Sequence, residues 1–279
     1  MQKILFTFLT LGLLMACTEE KNPGQEEEKP TQGQGTETPP APVGCPEGAV
    51  DLGLNLYWAK SNLSEDGLCP NPEDYGDYYA WGETEPHYVK GHSQDIVCNY
   101  DWRIIEDKQM TGYNWPSYKW CKGNYNKLTK YCPVNETSLW AGTGAPDNLT
   151  VLKNGPEGDD VASKLLGGKW RMPTDAEWTE LRTKCTWTWI QNYNETGVAG
   201  YIITSNVSGF TDKSIFLPAA GGRSGLGLYN AGSDGSYWSS SIDTDTPDMA
   251  WNIYFSSTIT PDSFFTARCY GLPVRPVSE

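Results

Sequence analysis

The segment Gly167-Gly168-Lys169-Trp170-Arg171-Met172-Pro173-Thr174-Asp175-Ala176-Glu177-Trp178 holds the strongest local signal in the chain. Thr174 followed three residues later by Glu177 is a capping box, and Pro173 stands just before it. The spacing predicts a helix from about Asp175 to Lys184, with Trp178, Leu181 and Cys185 on one core-directed face. Upstream, Val50, Leu52, Leu54, Leu56 and Trp58 alternate with Asp51, Gly53, Asn55 and Tyr57, which predicts an opening strand with one buried face. Residues 60–168 read as mostly irregular, with Tyr- and Trp-studded loops. Downstream, strand-like runs occur at Tyr201–Thr204, Ser214–Leu217, Trp251–Ser256 and Leu272–Val277, and Gly221–Gly227 reads as a glycine-rich turn. Short strands with one or two helices and long loops define an α+β class.

Composition narrows the function. The 279 residues carry 35 acidic against 21 basic side chains, a formal charge of −14, which argues against a nucleic-acid partner. His87 and His92 are the two histidines of the chain, so imidazole-based triads and His-rich zinc sites are poorly supplied. The 35 aromatic residues exceed what one core of this size needs, so some are expected at the surface.

The N-terminus reads as an export signal. Lys3 precedes an apolar run from Ile4 to Met15, too short for a permanent span of about 20 residues. Leu14-Met15-Ala16-Cys17 resembles a bacterial lipobox, in which Cys17 is lipidated and tethers the protein to a membrane. Thr18-Glu19-Glu20 resembles the acidic signal that sends lipoproteins to the outer face of the outer membrane. Residues 18–44 contain no aromatic residue and are rich in Glu, Pro, Gln, Gly and Thr, a composition that cannot offset its ordering entropy. The expected organisation is a signal peptide at 1–16, Cys17 and an acidic tether to 44, and one domain at 45–279.

Several segments together resemble one family. The Gly167–Trp178 segment, Val50-Asp51-Leu52-Gly53-Leu54, Asp74–Glu83, Phe216–Gly221, Tyr237-Trp238-Ser239-Ser240-Ser241 and Arg268–Val277 are similar, in order, to the Fibrobacter succinogenes major paralogous domain. More distantly, Arg171–Trp178 and the closing Gly271-Leu272-Pro273-Val274-Arg275 resemble the formylglycine-generating enzyme and sulfatase-modifying group, whose members share a C-type-lectin-like fold. The resemblance implies a small twisted antiparallel sheet with one or two helices and a loop-rich binding region near the C-terminal strands. It also implies that an oxidase of that group needs a cysteine pair in its C-terminal region, and Cys269 stands alone there. Enzyme activity of this type is therefore not expected, and no cofactor is implied.

The remaining chemistry is sparse. Besides Cys17, seven cysteines suit an oxidising compartment, with Cys185–Cys269 and Cys121–Cys132 as candidate disulfides, the first as in lectin-like domains. No Cys-x-x-Cys spacing favours zinc. Asp243, Asp245 and Asp248 lie close in sequence, but the loop lacks the glycine and final acid of an EF-hand and reads as solvated. Gly221–Gly227 lacks the Lys-Ser/Thr of a phosphate-binding loop. On Trp251–Ser256, Asn252, Tyr254 and Ser256 share the face opposite Trp251, Ile253 and Phe255. The expected ligand site combines Asp245, Asp248, Asn252 and Tyr254 with Phe264, Phe265 and Arg268. These features point to a lipid-anchored surface protein that binds a glycan or protein ligand without chemistry. Its alternatives are a structural or interaction component of a cell-surface assembly, and an enzyme acting on polysaccharide.

Overall fold

Thr174 starts a helix as its spacing predicts: its side chain accepts from the Glu177 amide, and the Glu177 carboxylate accepts from the Thr174 amide at 2.7 Å. The structure, a computed structural model, describes residues 44–87 and 112–279, which fall within one compact unit spanning Ala41–Glu279. The signal peptide, Cys17, nearly all of the tether, Cys98 and His92 lie outside the described residues.

In chain order the first strands are β1 (Ala49–Val50), β2 (Tyr57–Ala59), β3 (Leu63–Ser64), β4 (Gly67–Leu68) and β5 (Tyr79–Ala80). Helix α1 (Val161–Leu166), β6 (Trp170–Arg171), α2 (Asp175–Lys184), β7 (Cys185–Ile190), β8 (Gly200–Ser205) and β9 (Ser214–Pro218) follow. The C-terminal part holds β10 (Gly222–Ser224), β11 (Gly227–Tyr229), β12 (Asp234–Ile242), β13 (Met249–Ser256) and β14 (Asp262–Ala267). It ends with β15 (Gly271–Leu272) and β16 (Val277–Ser278). These strands form small sheets in the orders β1-β2-β16-β6, β11-β10-β15-β5, β12-β13-β14, β7-β8-β9 and β3-β4. Every pairing among them is antiparallel. The architecture is sheet-rich with few helices, of the α+β kind.

The opening strand is shorter than its alternation predicts. Val50 pairs with Trp58 across a hairpin, so the leucines between them lie in its loop. The reason is local: the Asp51 side chain accepts from the Gly53 amide at 2.8 Å, and Gly53 takes a positive φ of 68°. A Cβ on Gly53 would stand 2.4 Å from the Phe210 ring. Leu52 and Leu56 are buried all the same, because a loop folded over a core buries alternate side chains much as a strand does. Likewise Leu272–Val277 is not one strand. Pro273 and Pro276 lack amide hydrogens, so pairing survives only at the two ends, in β15 and β16. Gly221–Gly227 is largely a hairpin, with Gly222–Ser224 paired to Gly227–Tyr229.

Three apolar clusters hold the domain together. The first gathers Trp58, Trp178, Leu181, Cys185, Ile203, Leu217, Tyr237, Ile253 and Phe255. The second gathers Trp81, Tyr131, Val161, Met172, Trp238 and Ala250, and the third Tyr78, Tyr113, Tyr118 and Cys269. Tyr237 and Trp238 are neighbours on β12 that point to opposite faces. The β12-β13-β14 sheet therefore packs against the first cluster on one face and the second on the other.

Glu177 also binds Arg171 through both oxygens, at 2.8 and 2.7 Å. Burial alone would raise its carboxyl, but the bonds from Arg171 and Thr174 outweigh burial and hold it below its ordinary value. Its contribution is present above the unfolded value near 4.5 and is lost as pH falls through the lower folded value. Thr174→Ala is expected to lower stability by about 1 kcal/mol, read by urea unfolding at neutral pH.

Candidate functional site

The β10–β11 hairpin and the start of β12 build one side of a cleft. The Gly221 amide donates to the Asp234 carbonyl at 2.8 Å, which ties the hairpin to β12. Asn230 then turns the chain with a positive φ of 59°, and its carbonyl accepts from the Asp234 amide at 2.9 Å. Tyr254 of β13 and Thr266 of β14 also line the cleft, Tyr254 paired beside Ser236 on one face of the β12-β13-β14 sheet. The cleft has a volume of about 330 Å³.

Three tyrosines, Tyr229, Tyr254 and Tyr270, line it together with Asn230, Asp234, Ser236 and Thr266. Tyr229 is 49 % exposed and Tyr270 38 %, so both side chains are reachable from solvent. Asp234 is the acceptor at the centre: Oδ2 receives the Asn230 amide at 2.8 Å and the Tyr254 hydroxyl at 3.0 Å. Burial raises the Tyr254 phenol above its ordinary value, and the bond to Asp234 adds to that, so it stays protonated and donating. The buried Arg223 also lines the cleft, its guanidinium 4.9 Å over the Tyr78 ring. Asn252 lies on the same sheet face as Ser236 and Tyr254, is almost fully buried, and accepts from the Ser236 hydroxyl at 3.5 Å. Its Nδ2 finds no hydrogen-bond partner among the described residues.

The seven residues expected to form the ligand site fall into separate groups: Phe264 pairs with Asn252 and its ring lies 5.9 Å from Tyr254, whereas the Arg268 amide donates to the Asp248 carbonyl at 3.1 Å. Tyr254 lines the cleft, and Asn252 shares its sheet face but is buried rather than displayed. Phe264 and Phe265 are exposed on β14, with rings stacked 5.7 Å apart. Asp245 and Asp248 sit in the β12–β13 connection at the far end of the hairpin, about 17 Å along β13 from Tyr254 by strand rise. Asp243 turns that connection on itself, accepting from the Asp245 amide at 3.0 Å and from the Thr246 hydroxyl. Asp248 is half-buried, and burial pushes its carboxyl above the ordinary range. Among the described residues no group of three His, Cys, Asp or Glu side chains is placed to hold a metal ion.

Arg268 is a correction. It is fully buried, with Nε on the Tyr118 hydroxyl at 3.0 Å and Nη1 and Nη2 on the carbonyls of Tyr131, Pro247 and Lys130. The partners that bury it come from segments 21 to 150 residues away in sequence. The disulfide expectations are corrected as well, because the six described cysteines are thiols. Cys185 packs in the first cluster and Cys269 in the third. Cys121 and Cys132 direct their sulfurs to different carbonyls, Trp115 at 3.1 Å and Glu136 at 3.4 Å. Burial pushes the Cys132 and Cys185 thiols up to about 11 and Cys269 up to about 12, so none is an activated nucleophile.

The cleft residues Tyr229, Asn230, Asp234 and Ser236 carry no signature in the sequence, beyond lying beside the glycine-rich run. Among the described residues no helix is long and apolar enough to cross a membrane. Comparison of the chain with family models, with curated proteins and with solved structures finds no match.

Proposed function

We propose that this chain is a lipid-anchored protein of the outer membrane, facing the cell exterior, whose C-type-lectin-like domain binds a glycan without chemistry. The observation that carries the binding reading is the composition of the cleft. Tyr229 and Tyr270 offer ring faces that suit the C–H face of a sugar, and Asp234, Asn230 and Ser236 offer hydroxyl partners beside them. Its volume of about 330 Å³ suits a ligand of one or two sugar rings. Glycoside hydrolysis ordinarily takes two carboxylates, whereas Asp234 is the one carboxylate among the described lining residues, which favours binding. The sheet-rich architecture of the described residues, with few helices and long loops, supports the lectin-like reading, and Cys17 after its apolar run supports the anchor.

A glycan array probed with wild type, Tyr229→Ala and Tyr270→Ala tests the reading. Both side chains are half-exposed, so each variant is expected to keep the wild-type unfolding midpoint while weakening any array ligand about tenfold. Ligands bound equally by all three proteins would sink the cleft as the site, and turnover of a polysaccharide would sink the non-catalytic reading. A role in a cell-surface assembly is favoured by a different feature, the exposed Phe264 and Phe265 on the edge strand β14. A stable bacterial partner captured by wild type and lost in Phe264→Ser would favour that alternative.

A further inference from the structure

His87 makes more contacts than a core histidine needs. Its Nε2 lies 2.6 Å from Glu83 Oε2, its Nδ1 lies 2.8 Å from the Gly112 carbonyl, and its backbone amide donates to the Tyr113 hydroxyl at 3.1 Å. The imidazole also stacks on the Tyr113 ring, with centroids 4.8 Å apart and planes at 10°. Glu83 is held in turn, because its Oε1 accepts from the Lys119 amide at 2.7 Å. A carbonyl only accepts, so Nδ1 must carry hydrogen, and a carboxylate against Nε2 requires a second proton. Whether that proton sits on the ring or on Glu83, the two ring contacts exist together only while the pair holds it. Loss of the proton leaves one ring N–H for two acceptors, so a nitrogen lone pair then faces either the Glu83 carboxylate or the Gly112 carbonyl.

The residues that His87 grips lead to the cleft. The Tyr113 amide donates to the Gly225 carbonyl at 2.7 Å, and the Gly225 amide donates back to Tyr113 at 2.9 Å. Gly225 is the turn of the β10–β11 hairpin, whose Ser224 and Tyr229 line the cleft. The approach is close: a Cβ on Gly112 would stand 3.0 Å from the Gly225 carbonyl oxygen. We propose that the His87–Glu83 pair is a proton-operated clasp that holds the β10–β11 turn in place and so makes binding in the cleft pH-dependent. The regulatory part rests on the reading of the cleft as a binding site; the clasp itself does not.

The surroundings fix the sign. Burial pulls His87 down, but the bond and charge of Glu83, with the Gly112 carbonyl, outweigh it and raise the imidazole above 6.5. Tyr113 is the titratable group in contact with the ring, and Asp77, Glu83 and Arg223 act on it. Glu83 in turn acts on the buried Tyr118 and Cys269 and the half-buried Cys121, whose protons all stay on in this range. A group with a raised folded value contributes fully below its unfolded value and loses that contribution as pH rises through the folded one. The clasp is therefore closed in mild acid and opens on alkalinisation.

An NMR titration of the unliganded protein tests the clasp with the proton as the only probe. The His87 Cε1–H and the amides of Gly225 and Tyr229 are expected to move with one midpoint, above 6.5. In His87→Gln the Gly225 and Tyr229 steps should vanish, and in Glu83→Gln the His87 midpoint should fall below that of wild type. Amides that stay flat through the His87 titration, or that keep their step in His87→Gln, would overturn the proposal. Should His87→Gln not fold, the Glu83→Gln midpoint and the wild-type titration decide alone. Because no ligand enters the experiment, failure of the glycan reading leaves its outcome unaffected.

Discussion

Arg268→Met is expected to destabilise the protein by about 4 kcal/mol, read as a fall in the urea midpoint with an unchanged slope. The guanidinium is fully buried and donates four hydrogen bonds, to Tyr118, Tyr131, Pro247 and Lys130, while stacking 4.8 Å from the Trp81 ring. Methionine refills much of the volume but donates nothing. The three carbonyls would then face apolar atoms, and each buried acceptor left unmatched costs about 1–3 kcal/mol. Some relaxation and water entry offset part of that sum, hence the lower figure. The same variant separates two roles. A ligand-anchoring arginine at the surface would cost almost no stability and would abolish binding, so an unchanged urea midpoint would contradict the structural role.

Trp178→Ala is expected to cost about 4 kcal/mol as well, for a different reason. The indole is fully buried, 4.7 Å from the Trp58 ring and 6.2 Å from Tyr237, and its Nε1 donates to the Trp238 carbonyl at 3.2 Å. It joins α2 to β2 and β12, so its removal leaves a cavity between elements that short strands cannot easily close. Near-UV circular dichroism and urea unfolding would register both the lost packing and the lower midpoint. Trp178→Phe keeps most of the apolar contact and should lose clearly less. Since whole domains are stable by about 5–15 kcal/mol, either change takes a large share of what this one has.

These two residues also mark how far local sequence could be read. The burial of Trp178 is legible locally, because a capping box and a helical face are written within a dozen neighbouring residues. The strand faces of Trp251–Ser256 were legible for the same reason, as Ile253 and Phe255 point into the first cluster. Alternation failed at Val50–Trp58, where an Asp51–Gly53 turn and a nine-residue apolar rhythm conflict and the turn wins. The alternation places Tyr254 on the face that lines the cleft, but the burial of Asn252 on that face is not legible, since the second cluster across it is built from residues far along the chain. Arg268 looked like a loop-end anchor for the same reason.

From its sequence alone this chain declared the α2 helix and the core face of Trp251–Ser256. Those properties depend on a few neighbouring residues, through hydrogen bonds and periodicities that act within one or two turns of chain. Tertiary structure alone decided that Arg268 is internal, that Cys185 and Cys269 stand apart, and that Tyr229, Asp234, Tyr254 and Tyr270 face one cleft. The cleft exists because separate small sheets are set side by side by their long connections. Contacts of that range reward the fold only after the chain has closed on itself, and no short stretch of sequence encodes them.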